Sequence, residues 1–138
     1  MSSAPIESDA ATYVDSSAFV KLVVSEPESE ALRRFLAASP RRLTASALLE
    51  IEATRVARAV GGAAANAMAE ALRAVVLVDM TTAIRARARL LDPAQLTTLD
   101  AIHLATALEV GVRDVLVYDN HLGAAAAEYG MNVLSPGA

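Results

Sequence analysis

The sequence predicts an α/β domain: a mostly parallel central sheet of about five strands with helices on both faces. Three observations lead there. Short β-prone or fully apolar runs alternate with helical patterns along the whole chain, the mark of strand–helix–strand units. Several of these runs end in an acid that starts the next segment, as at Val14–Asp15, Val78–Asp79 and Tyr118–Asp119. The 138 residues contain no repeat, no low-complexity linker and no shift in composition, so they form one domain, long enough for a real core.

The bulk numbers narrow the class. Hydrophobic residues make up 54% of the chain, which argues against disorder. Much of that is alanine, so the helices should be small-faced and closely packed. No apolar run reaches the length of a membrane span, and MSSAPIESDAA lacks the basic and apolar regions of a signal peptide. Residues 1–11 are expected to be a loose tail and 12–138 the domain. With no cysteine there is neither a disulfide framework nor a thiolate metal site, and the cytoplasm is the expected compartment. The net charge of −4 argues against a module that grips phosphates by charge alone. It is compatible with a nucleic-acid enzyme that gathers acids around cations, or with a basic protein partner.

Thr12–Val14 reads as the first strand, and Asp15-Ser16-Ser17 leads into a helix with Phe19, Leu22 and Val23 at helical spacing. Asp15 is read first as an N-cap, a role Ser16 or Ser17 could equally fill. Ser25-x-x-Glu28, with Pro27 in the first turn, suggests a capping box for a second helix whose apolar face is Leu32, Phe35 and Leu36. Leu43–Ala45 is the second strand, and Ser46 can cap the helix after it. That helix has a stripe of Leu49, Ala53, Val56 and Val60. Glu52 lies about 60° from the stripe and Glu50 about 100°, so Glu52 is nearer the buried edge. Its simplest role is an ion pair with Arg55.

Gly61-Gly62 separates this helix from an alanine-rich one carrying Met68 and Leu72. Val75–Val78 is apolar throughout, as in a strand covered on both faces. Thr81 begins a helix with Ile84, Ala88 and Leu91 inward, stopped by Asp92-Pro93. Leu96–Val110 is the most informative stretch. Thr97 is an N-cap and Asp100 completes a capping box. Leu99, Ile102, Ala105 and Leu108 would face the core, with Asp100, His103 and Ala107 on another face. Gly111 closes this helix. Val115–Tyr118 is the next strand and Asp119 the cap of LGAAAAEYG, with Gly130 as its C′ residue. Asn132–Leu134 is the last strand.

Each of Asp15, Glu52, Asp100 and Asp119 alone is most simply a cap or a surface acid. A parallel sheet places all four on one rim, beyond the carboxyl ends of its strands, where such sheets bind ligands. Four convergent carboxylates repel one another unless a cation joins them. Oxygen ligands of this kind suit Mg²⁺ or Mn²⁺ completed by water and substrate phosphate, and the chemistry that fits is phosphodiester hydrolysis.

YVDSSAFVKL, ASALLEIEATR, LTTLDAIHLATAL and LVYDNHL together resemble PIN-domain proteins, and among them the toxin ribonucleases of bacterial VapBC toxin–antitoxin pairs. The resemblance runs from about Thr12 to Leu134. It implies a three-layer α/β/α PIN fold and a Mg²⁺-dependent endoribonuclease, with Mn²⁺ as a possible substitute. Such enzymes cut structured RNA such as tRNA or rRNA and so inhibit translation. By position the family acids fall on Asp15, Glu52, Asp100 and Asp119 as catalytic metal ligands, with Ser17 and His103 supporting them. The resemblance also implies a VapB-type antitoxin partner and a homodimer. Phe19, Val23, Leu32 and Phe35 are candidate antitoxin contacts, and Arg33, Arg34, Arg41, Arg42, Arg55 and Arg58 candidate guides for RNA. One departure is Val117, where the family often carries Thr or Ser.

The rival from another class is a catalytically silent PIN-fold module that binds RNA or a protein. A haloacid-dehalogenase-type phosphotransferase would need an Asp at the place of Ser17. A receiver domain would need an acidic pair at the first strand, and no P-loop motif exists.

Overall fold

The structure, a computed structural model, describes residues 11–138. The expected tail therefore lies outside the described residues, except Ala11, which already belongs to the sheet. Strands β1 (Ala11–Val14), β2 (Arg42–Ser46), β3 (Val75–Val78), β4 (Asp114–Leu116) and β5 (Asn132–Leu134) form one sheet in the order β3-β2-β1-β4-β5. All four pairings are parallel. Seven α-helices connect and cover the strands: α1 (Ser16–Phe19), α2 (Ser29–Ala38), α3 (Leu48–Val60), α4 (Gly62–Leu72), α5 (Thr82–Ala88), α6 (Thr98–Val110) and α7 (Asn120–Glu128). A 3-10 turn, Val20–Leu22, extends α1. Among the described residues no helix is long and apolar enough to cross a membrane.

The order explains where a site can form. From β1 the chain steps outward to β2 and β3, then returns to place β4 on the other side of β1. The direction of winding reverses between β1 and β4, and the crevice beyond their carboxyl ends is the natural ligand position. Asp15 directly follows β1, and Asp119 opens α7 just after β4.

Local signals work where they are chemical. Asp15, Thr81, Thr97 and Asp119 are N-caps whose side chains accept from the backbone of their helices. Thr97 Oγ1 accepts from the Asp100 N–H at 3.2 Å. Gly111 ends α6 at φ 81°, a left-handed conformation that favours glycine.

Packing expectations needed more correction. The Ser25–Glu28 capping box does not form: α2 starts at Ser29, whose hydroxyl accepts from the Glu26 N–H at 2.9 Å, while Glu28 turns to Lys21. On α3 the buried stripe is Leu49, Ala53 and Ala57, and Val56 and Val60 are exposed. Alanine at 57 lets α4 pack closely, which a valine would prevent. On α6 Leu99 is exposed, Ile102 and Leu108 are half-buried, and Ala101 and His103–Ala107 are buried. This central helix is enclosed around most of its circumference, so no single stripe describes it. Val75–Val78 is an edge strand with Val76 exposed, not a strand covered on both faces. Phe19 and Leu32 are fully buried core residues and unavailable to a partner.

Candidate active site

β1 is a strand of period two, so Tyr13 and Asp15 project to the same face. That face meets α6 and the start of α3. Tyr13, Asp15 and His103 are all buried, and Glu52 is half-buried beside them. The Ser46 N–H donates to the Tyr13 hydroxyl at 3.0 Å, and this hydroxyl lies 2.6 Å from His103 Nδ1. His103 Nε2 lies 2.7 Å from Glu52 Oε1. One assignment satisfies every partner: Tyr13 O–H donates to Nδ1 and Nε2–H donates to the Glu52 carboxylate. Glu52 therefore pairs with His103 and not with Arg55. Burial pushes the Tyr13 phenol well above its ordinary pKa, so it stays a neutral donor.

Asp15 is served only by its own turn. Oδ1 accepts from the Ser17 N–H, and Oδ2 accepts from Ser17 Oγ at 3.0 Å. The same Oγ accepts from the Tyr118 N–H at 2.9 Å and the Asp119 N–H at 3.3 Å. Ser17 thus ties the first acid to the loop of the fourth across the β1–β4 switch. Burial raises the Asp15 carboxyl to about 6, against opposing contributions from His103 and the Ser17 hydrogen bonds, and Glu52 pushes it further up. Among the described residues Asp15 has no ion-pair partner.

The other two acids stand at helix starts. Asp119 Oδ1 caps α7 by accepting from the Leu122 N–H at 2.9 Å. Asp100 is half-buried in the first turn of α6, one turn before His103. Its carboxylate makes no hydrogen bond or ion pair among the described residues. The structure brings Asp15, Glu52 and His103 together and joins Asp119 to them through Ser17. No contact ties Asp100 to the other acids. Among the described residues no three Asp, Glu or His side chains stand close enough to form a metal cage of their own. The donors are nonetheless all oxygens, and two neighbouring carboxylates without a cationic side chain fit a hard divalent ion, which keeps most of its waters.

Tyr13 escaped the sequence reading. The signal was present: a hydroxyl-bearing aromatic two residues before an acid in a strand shares that acid's face. Val117 is buried, with one side-chain methyl beside Gly123 on α7. Next to Asp119, the Tyr118 ring is braced by Lys21, whose Nζ bonds Glu28 at 2.9 Å and Glu26 at 3.0 Å and lies 4.7 Å over that ring. The Tyr118 hydroxyl donates to the Pro136 carbonyl at 2.7 Å.

A family model described as "PIN domain" matches residues 12–128. The chain belongs to the PIN-domain family. Among PIN domains it falls with the VapC type. It is 43% identical over 129 residues to ribonuclease VapC46 of Mycobacterium tuberculosis (strain ATCC 25618 / H37Rv), covering 92% of this chain and 98% of that relative. It is 36% identical over 130 residues to ribonuclease VapC35 of M. tuberculosis (strain CDC 1551 / Oshkosh), covering 91% and 96%. Two solved structures share the PIN fold. M. tuberculosis VapC20, described as a sarcin–ricin-loop-cleaving toxin, superposes with a TM-score of 0.70 at 23% identity, covering 83% of this chain and 94% of that one. A toxin–antitoxin complex from Klebsiella pneumoniae gives 0.72 at 19% identity, covering 91% and 97%.

Proposed function

We propose that this PIN domain is a metal-dependent endoribonuclease, the toxin of a type II toxin–antitoxin pair, acting in the cytoplasm on structured RNA such as tRNA or rRNA. The observation that carries this is Asp15: a buried carboxylate at the β1–β4 switch, beside Glu52, hydrogen-bonded to Ser17 but with no lysine or arginine paired to it among the described residues. Asp15 and Glu52, with Asp100 and Asp119 around the same rim, would hold Mg²⁺ or Mn²⁺. Bound there, the ion supplies an activated water and offsets charge on the leaving oxygen. Ser17 keeps the Asp15 carboxylate oriented and fixes the Asp119 loop against it. Tyr13 and His103 hold Glu52 in place from behind. His103 has both ring nitrogens engaged within the protein, so it acts as a positioning residue. A VapB-type antitoxin belongs to the same reading, supported by the VapC relatives and the toxin–antitoxin complex of the same fold, and so does a homodimeric state.

The second reading, a silent PIN-fold module, draws on the lack of a ready metal cage among the described residues. One experiment separates the two. The purified chain is incubated with total bacterial tRNA and rRNA in Mg²⁺ or Mn²⁺, in EDTA, and as Asp100→Asn. Discrete cuts that need metal and vanish in the variant carry the ribonuclease reading. No cutting, or cutting that survives both controls, sinks it.

A further inference from the structure

We propose that the cleft between α5 and α6 is a binding subsite for the RNA strand next to the cut, with Arg85 and Arg89 on its phosphates. This rests on the ribonuclease reading above. The cleft holds about 590 Å³, within the usual range of ligand sites. Its apolar floor includes Met80, Leu96 and Ile102, and its far wall is the first turn of α6 through Thr97 and Thr98. That turn also carries Asp100, so the cleft opens beside the acidic rim.

Three positive features surround this one space. Arg85 and Arg89 lie four residues apart on α5 and both line it. Two like charges at that spacing disfavour each other unless an anion lies between them. The N-terminus of the 13-residue α6 adds backbone N–H groups and the positive end of its dipole. Arg85 is steadied by hydrogen bonds to the Met80 carbonyl and Thr82 Oγ1, both at 3.2 Å. Arg87, between them in sequence, is tied to Glu109 at 2.6 Å and does not line the cleft. Arg89 is exposed with no ion pair among the described residues. A chain of net charge −4 that gathers cations around an apolar cleft suits an anion with an apolar body. A nucleotide has that chemistry, its phosphate on the arginines and its base against the floor or a guanidinium plane.

Two of the arginines predicted from sequence are engaged elsewhere. Arg41 is committed to Asp114, Thr12 and Ser39 at the amino ends of the strands, away from the acids, and Arg34 pairs with Glu30.

The test uses Arg85→Ala, Arg89→Ala, the double variant, and Arg73→Ala as a control. Arg73 precedes β3 at the opposite rim and pairs with Glu70. Binding of fluorescein-labelled oligouridylate is measured by anisotropy in EDTA across a salt series, and tRNA cleavage is measured in Mg²⁺. The double variant should raise KM about tenfold with kcat nearly unchanged. Its slope of log affinity against log salt should flatten by about 0.7 per arginine, with the control matching wild type. Arg89→Ala alone, which breaks no hydrogen bond within the protein, covers the case in which the double variant misfolds. Cleavage by wild type with arginine-independent KM and salt slope overturns the subsite and leaves the ribonuclease reading intact. Arginine-dependent RNA binding without cleavage supports the subsite and overturns the ribonuclease. Failure of wild type to bind RNA overturns the subsite, as does an equal loss in Arg73→Ala.

Discussion

The two ends of the sheet each carry an acid, and they treat it in opposite ways. At the amino ends of the strands, Asp114 accepts from Arg41 at 3.1 Å and from Asn132 Nδ2 at 3.0 Å, and Arg41 lies 4.8 Å over the Phe35 ring. This acid has a countercharge built in. At the carboxyl ends, Asp15 is buried more deeply and receives only the Ser17 N–H and hydroxyl. Among the described residues no buried side-chain nitrogen or oxygen lacks a hydrogen-bond partner, so both ends are satisfied in that sense. They differ in charge. On the proposed reading, the more deeply buried acid that has no arginine or lysine beside it is the one that would take a cation from outside.

The sharpest break in this contrast is Asp15→Asn. Asparagine retains the acceptor for the Ser17 N–H but not the charge. RNA cleavage should fall at least about 100-fold, with circular dichroism unchanged. Loss of the fold instead would make Asp15 a structural residue like Asp114. Asp100→Asn and Asp119→Asn should also abolish cleavage while the protein stays folded.

Stability should respond to pH at the Asp15 end. The Asp15 carboxyl is raised from 3.8 to about 6, so the folded state holds its proton more tightly than the unfolded chain does. Between those values the unfolded chain binds fewer protons, and stability falls as pH rises. The contribution is fully present below about pH 4 and lost by about pH 6, of the order of 3 kcal/mol. In EDTA, Asp15→Asn should therefore be more stable than wild type at pH 7, and the gain should vanish near pH 4, by urea denaturation. Added Mn²⁺ should raise the wild-type Tm at pH 7 and not that of the variant. Equal pH profiles for the two proteins would refute the uncompensated charge.

Tyr13→Phe tests the support behind Glu52. It leaves the buried Ser46 N–H and His103 Nδ1 without their partner. Stability should drop by about 1–3 kcal/mol. Cleavage should fall about 10- to 100-fold, with the Mg²⁺ concentration needed for half-maximal rate rising. A loss of stability alone would leave Tyr13 a core residue. Arg41→Ala should have the smallest effect, about 1 kcal/mol of stability with cleavage unchanged, because its partner is part-exposed and screened. Impaired cleavage in that variant would erase the distinction between the two rims.

Local chemistry carried the parts of this fold that the sequence determined. The alternation of runs determined a parallel α/β sheet, the caps at Asp15, Thr97 and Asp119 marked helix starts, and strand ends pointed to one acidic rim. Those features depend on a few neighbouring residues and on hydrogen bonds of short range. Tertiary structure alone decided which faces were buried. Ala57 displaced Val56 because α4 packs close, α6 was enclosed on most sides, and Val75–Val78 became an edge. It also decided which partner each acid took: Glu52 went to His103, 51 residues away, and not to Arg55 on its own helix. Tyr13 joined that relay from 90 residues away. No local pattern encodes such pairings, because burial makes each polar group take whatever donor or acceptor the packed elements deliver.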